Sequence, residues 1–356
     1  MTKSLTDNKL HKLLRDYILE LSGSGQYVPE WLFDARFYFD PDLNDCFAQL
    51  DPESNCVVYG KGTTVHAILH ELEHLRSRHK EMVKGYDEER ERFVYFYFVG
   101  YRTSGINGLF LEEALNELSA RKIEMKMFGT SKKAQMRLVN EYKANKYYTF
   151  EIFMTLGLCS LLGVKVEDIK NLKFAGDTSG QESLSQLVGF MAGDDKYWLR
   201  MQESLDDFEM SKRLPLTFGT RSEMQREKLY EYYKLAYRLI VNAYNRKIIS
   251  AAEAGRAVYL FEEYSKKAGE YCKHAESMRQ KAKTTVTNQN KTAEKLFLNS
   301  ERCVIRKEDE KQYAIILPRG SNVIPGRVSK AILDGVGRVF VKTDRYELLE
   351  ENMYGL

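Results

Sequence analysis

Several features that usually announce a function are missing from this chain. Its 356 residues hold five cysteines, and Cys46, Cys56, Cys159, Cys272 and Cys303 are scattered, odd in number and never in a CxxC pair. Such spacing fits reduced thiols better than a disulfide framework. No charge of one sign dominates: 54 Lys and Arg against 51 Asp and Glu leave a formal net charge of +3. Without a basic excess, no long-range field draws the chain toward nucleic acid or anionic lipid, and no helix-turn-helix or basic stripe takes its place. Nor is there an apolar run long enough to span a bilayer; the most apolar stretch, Ile152–Val164, predicts a buried helix. The opening MTKSLTDNKLHKLLRDYILEL alternates apolar and charged residues and lacks the unbroken apolar core of a secretory signal. The expectation is therefore a soluble, cytoplasmic protein, with delivery by a non-cleaved route left open, and with neither membrane nor nucleic acid as partner. Internal repeats are absent, and nothing indicates an oligomeric state.

What is present is a globular composition, 43% hydrophobic and 29% charged, on a length that fits two or three domains. Leu10, Leu13, Leu14, Tyr17, Ile18 and Leu21 mark an amphipathic first helix. Arg36–Asp40 and Asn55–Gly60 read as strands, as does the aromatic run Arg92–Tyr101 with RTSGING as its turn. Phe110–Met127 is helical by pattern, and from about 131 to 283 the pattern is almost wholly helical. Ser250 and Glu253 predict a capping box opening a long helix to about Lys283. Tyr230, Tyr232, Tyr233, Tyr237 and Tyr244 crowd the preceding helix, a stripe that reads as core packing. The polar 282–295 stretch reads as a linker, and ERCVIRK, QYAIILP and RVFVKTD as strands of a small terminal module. The expected fold class is α+β, predominantly helical: a core over 1–128, a helical domain over 129–283, a linker over 284–295 and a small C-terminal α+β module over 296–356.

Histidine is scarce as well, yet four of the six fall within HAILHELEHLRSRH, as His66, His70, His74 and His79. His70-Glu71-Leu72-Glu73-His74 is an HExxH. On a helix, positions i and i+4 stand one above the other, so both imidazoles can hold one Zn²⁺. Glu71 then lies beside the first histidine, where it can take a proton from a water activated by the metal. Val65, Ile68, Leu69, Leu72 and Leu75 supply an apolar face, and Val57–Tyr59 the preceding strand. The bland alternative is a surface helix with solvated histidines. His66 has Ala67 beside it rather than a base, so it reads as a support of the site or as packing; His79 reads as solvated.

A catalytic zinc site usually takes three protein ligands and leaves a position to water. No third histidine fits: Lys80 stands where an HExxHxxGxxH pattern would need one. A carboxylate is the natural alternative, and FLEEALNEL at 110–118 offers candidates. With these residues the chain resembles the gluzincin branch of zincin metallopeptidases, over about residues 55–125. The resemblance implies a zincin-like core, one Zn²⁺ per chain, a peptide or protein substrate and hydrolysis with Glu71 as general base. It implies Glu113 as third ligand and Glu117 as the acid supporting a ligand histidine. A rival alignment makes Glu117 the ligand, leaving Arg121 four residues on. The chain departs from the family pattern at Glu112, where Asn is commoner, and in the long 80–109 insertion, which would edge the cleft. Tyr142, Tyr147 and Tyr148 are candidate donors to the oxyanion of the transition state. The competing reading is a non-catalytic zincin-fold interaction or regulatory protein that keeps the metal site.

Overall fold

The structure is a computed structural model and describes residues 7–43, 48–51, 54–87, 92–99, 108–144, 148–174, 179–301, 303–307 and 313–316. It is predominantly helical with small sheets, the α+β class expected. Helix α1 (Asp7–Gly23) buries Leu10, Leu13, Leu14, Tyr17 and Leu21 on one face. Strands β1 (Arg36–Phe39), β2 (Ala48–Asp51) and β3 (Cys56–Tyr59) form a sheet in the order β1-β3-β2, with β1 parallel and β2 antiparallel to β3. The edge strand β2 had no sequence signal, since AQLD lacks the β-branched and aromatic residues that mark strands. Helix α2 (Val65–Arg76) follows β3 and sends Ile68, Leu69, Leu72 and Leu75 into the same core as α1 and the sheet. Strands β4 (Arg78–Asp87) and β5 (Arg92–Val99) pair as an antiparallel hairpin. The side chain of His79 and the RTSGIN turn lie outside the described residues.

Helix α3 (Leu109–Phe128) is buried without interruption from Leu109 to Arg121. Its Ala120 and Ile123 complete the first core, while Phe110, Leu111, Leu115 and Leu118 enter a second. That second core is the helical part: α4 (Lys132–Ala144), α5 (Thr149–Leu162), α6 (Val166–Leu172), α7 (Ser179–Ala192), α8 (Tyr197–Arg213), α9 (Phe218–Asn245), α10 (Ala251–Gly269), α11 (Ala275–Gln289) and α12 (Lys291–Ser300). A boundary after residue 128 therefore does not separate two cores, because α3 is a wall of both. The tyrosine stripe of α9 packs the helical core: Tyr232, Tyr233 and Tyr237 are fully buried around Phe261.

The capping box stands as expected, with Ser250 Oγ accepting from Glu253 N–H at 3.2 Å and Glu253 Oε2 accepting from Ser250 N–H at 2.9 Å. The helix it opens is shorter than expected, ending at Gly269; Tyr271 and Cys272 pack on the core through the turn before α11. The expected linker over 284–295 is helical. Ala275, Arg279, Ala282 and Val286 recur on the buried face of α11, so the polar residues between them are its solvent face. Asn290 then caps α12, accepting from Thr292 N–H at 2.9 Å, and Leu296 and Phe297 belong to the helical core rather than to a separate module. Beyond α12, β6 (Val304–Lys307) and β7 (Tyr313–Ile316) pair antiparallel; RVFVKTD lies outside the described residues.

Candidate metal centre

Local sequence sets the two helices that meet here. Thr64 caps α2, its hydroxyl accepting from Ala67 N–H at 3.1 Å. With the leucine face committed to the core, His66, His70 and His74 form the next stripe and turn toward α3, and the rings of His70 and His74 lie 5.0 Å apart. Helix α3 starts at Gly108, whose φ of 83° is left-handed backbone that glycine adopts at little cost. Its cap comes from far away in sequence: the Asp206 carboxylate of α8 accepts from Gly108 N–H at 2.7 Å and Phe110 N–H at 2.9 Å. That contact fixes the α3 turn that carries Glu112 and Glu113.

Glu113 Oε2 stands 3.1 Å from His70 Nε2 and 3.4 Å from His74 Nε2. The opposite ring nitrogens also meet carboxylates. His70 Nδ1 lies 3.2 Å from Glu117 Oε2, and His74 Nδ1 lies 3.3 Å from Glu112 Oε1. His66 bridges Glu117, at 3.0 Å from Nε2, and Glu124, at 2.7 Å from Nδ1. It stands behind Glu117 and does not reach the space between His70 and His74. Glu71 is part-buried beside them, its Oε2 accepting from Leu50 N–H of β2 at 2.9 Å. A surface helix with solvated histidines is excluded, because His70 is buried and His74 nearly so.

Each α3 carboxylate here has a cation. Arg121 Nε donates to Glu117 Oε1 at 2.7 Å, Lys173 Nζ lies 3.1 Å from Glu112 Oε1, and Arg213 Nη2 donates to Glu113 Oε1 at 2.8 Å. Ser77 at the end of α2 also donates to Glu112 Oε1, at 3.2 Å. Buried charges are tolerated when paired in this way. The pairing shapes the titration. Burial opposes charge on His70, but its hydrogen bonds to Glu113 and Glu117 outweigh that and lift the imidazole to about 10. Burial likewise opposes charge on His66, and Glu117 and Glu124 lift it to about 9. Burial works to raise Glu113, yet His74 and His70 hold it well below the usual carboxylate range. Glu71 moves the other way: burial pushes it up, against the pull of His74 and His70.

The donor set suits a metal ion. Two imidazoles and a carboxylate converge, and among the described residues His70, Glu71 and His74 form a group whose ligand atoms all lie within 4.8 Å of one another. Tetrahedral bonds of about 2.0–2.1 Å separate neighbouring ligand atoms by about 3.3 Å. The 3.1 and 3.4 Å from Glu113 Oε2 to the two Nε2 atoms fit that edge. Glu117 at His70 Nδ1 is the kind of partner that turns an imidazole's Nε2 lone pair toward a metal. At His74 Nδ1 the nearer neighbour is Asn116 Nδ2, at 2.5 Å, with Glu112 Oε1 behind it at 3.3 Å.

The three candidate tyrosines divide. Tyr148 stacks on His70 with ring centroids 5.1 Å apart and planes 10° off parallel. Its φ of 56° is left-handed backbone, which bulky residues rarely adopt away from functional sites. Tyr142 instead donates to Glu124 Oε2 at 2.9 Å, behind His66, and Tyr147 lies outside the described residues. Sequence reasoning missed Arg213, Lys173 and Asp206. They arrive from helices 60 to 100 residues away, and no motif surrounds them; only packing brings them in. Glu112, noted as a departure from the family pattern, proves to be the carboxylate behind His74.

Comparison with protein-family models, with curated proteins and with solved structures finds no match to this chain. The functional reading therefore rests on the site itself.

Proposed function

We propose that the chain is a zinc-dependent peptidase of the gluzincin type, in which α1, the three-stranded sheet, α2 and α3 form a zincin-like core. His70, His74 and Glu113 hold one Zn²⁺ per chain, and the substrate is a peptide or protein. The observation that carries this reading is Glu113 Oε2, at 3.1 and 3.4 Å from both Nε2 atoms, with Glu71 alongside. Glu113 is favoured over Glu117 because Glu117 meets His70 at Nδ1, the nitrogen turned away from that shared point. A zinc ion bound there supplies Lewis acidity, polarising a carbonyl and bringing a coordinated water's pKa to about 7.

Glu71 would be the general base of such a site, taking a proton from the attacking water and passing it to the leaving amine. Burial raises its pKa above the ordinary carboxylate value, against the pull of His74 and His70. Glu117 would hold the His70 imidazole in the ligating orientation, and Asn116, itself donating to Glu112, would hold that of His74. Tyr148, against the His70 ring, is the tyrosine assigned to the developing oxyanion. Leu50 N–H points from edge strand β2 to Glu71, so an extended peptide laid along β2 would bring its carbonyls past the base. A non-catalytic scaffold that kept the metal would need no base at position 71, only the tie from Glu71 to Leu50 N–H. Purified protein should carry about one zinc per chain, lost in His70→Ala and in His74→Ala. Glu71→Gln should keep the metal and lose peptide hydrolysis; unchanged turnover would remove the base assignment.

A further inference from the structure

The three cations around the site are not equivalent. Arg121 and Lys173 are sealed in, their side chains 1% and 0% exposed, and they pair with Glu117 and Glu112, which stand behind the histidines. Arg213 is 41% exposed at the last residue of α8, and it pairs with the carboxylate that faces both Nε2 atoms. Glu113 is thereby divided between two tasks. Its Oε1 accepts from Arg213 Nη2 at 2.8 Å, while Oε2 is turned to His70 and His74. A carboxylate free at both oxygens can chelate one ion through both, whereas an oxygen held in a charge-assisted hydrogen bond is taken out of that competition.

We propose that Arg213 is a positioning residue that restricts Glu113 to a single ligand oxygen, keeping the metal site four-coordinate with one position open. This inference rests on the metal site proposed above. A purely structural part for Arg213 would run through its other partner, Glu209, at 3.6 Å, and would leave the coordination sphere untouched. The two roles therefore differ in what the metal itself reports.

The test uses the full chain loaded with Co²⁺, whose visible absorption is strong when four-coordinate and weaker at higher coordination. Wild type should show the strong band. Arg213→Met should still bind one cobalt per chain but show the weaker band, because Glu113 can then engage through both oxygens. Arg213→Lys, which restores a cation, should recover much of the intensity. Against peptide, Arg213→Met should lower kcat by about 10–100-fold with KM little changed, the size typical of outer partners of a metal ligand. Identical cobalt spectra in wild type and Arg213→Met at equal loading would overturn the proposal. So would a folded Arg213→Met that no longer binds cobalt, since that assigns Arg213 to affinity rather than to the number of ligand oxygens. A wild-type chain that takes up no cobalt or zinc would remove the metal site itself, and this inference with it.

Discussion

Helices α3 and α9 are both walls of the helical core, and both are deeply buried, yet they fill the interior with opposite chemistry. Helix α9 presents Tyr232, Tyr233 and Tyr237, which pack edge-on or tilted around Phe261 of α10 with centroids 5.6–6.4 Å apart. Helix α3 presents Glu112, Glu113, Asn116, Glu117 and Arg121, all buried. Burying the rings stabilises the fold through apolar area, with the Tyr237 hydroxyl satisfied by Glu262 Oε1 at 2.9 Å. Burying carboxylates costs free energy unless each finds a partner, and an apolar replacement of similar volume is often as stable. Glu112, Glu113 and Glu117 each meet that condition through a cation, whereas the aromatic stripe serves packing.

The sharpest break in that comparison is Phe261→Ala. It empties the centre of the tyrosine cluster and should cost about 3–5 kcal/mol, read as a lowered midpoint in thermal or denaturant unfolding. Zinc per folded chain should not change; a matching loss of metal would mean that the two regions are not separable. Lys173→Met should cost a similar or slightly smaller amount, about 3 kcal/mol, because Glu112 is then a buried charge without its cation. Adding Glu112→Gln should recover much of the loss, and a double variant no more stable than the single one would contradict the pairing.

A pH experiment reaches the cap that ties the start of α3 to α8. Burial lifts the Asp206 carboxyl to about 7 from an ordinary value near 3.8, against the hydrogen bonds from Phe110 and Gly108. The folded state thus holds a proton that the unfolded chain has already released. The stability from Asp206 is full below about pH 4 and is lost as pH rises toward 7, a decline on the order of 2–4 kcal/mol. Asp206→Asn should flatten that part of the unfolding profile; parallel profiles for the two proteins would refute the assignment. The smallest effect belongs to Glu117→Gln, which should weaken zinc binding by about 10–100-fold with little change in the unfolding midpoint. A midpoint that falls as far as in Phe261→Ala would make Glu117 a packing residue instead.

Much of the site could be read before any fold was known. Helical spacing alone puts His70 and His74 together with Glu71 beside them, and puts Glu113 and Glu117 on one face of α3. The aromatic strand and the Ser250–Glu253 cap were equally local and equally legible. Composition and conformation part company in two places. The polar stretch after Lys283 reads as a linker until the buried spacing of Ala282 and Val286 makes it the solvent face of a helix. Strand β2 exists because it pairs with β3, not because AQLD favours extension.

The sequence by itself determined the two imidazoles, their i,i+4 spacing and the carboxylate beside the first histidine, because these follow from helix geometry within a few residues. Only the tertiary structure decided which nitrogen meets which carboxylate, that His66 stands behind Glu117, and that Arg213, Lys173 and Asp206 are parts of the site. Such partners are chosen by the packing of α3 against α2, α5 and α8. Charges carried from 60 to 100 residues away obey no period, so they become visible only when burial forces every carboxylate of α3 to find a cation.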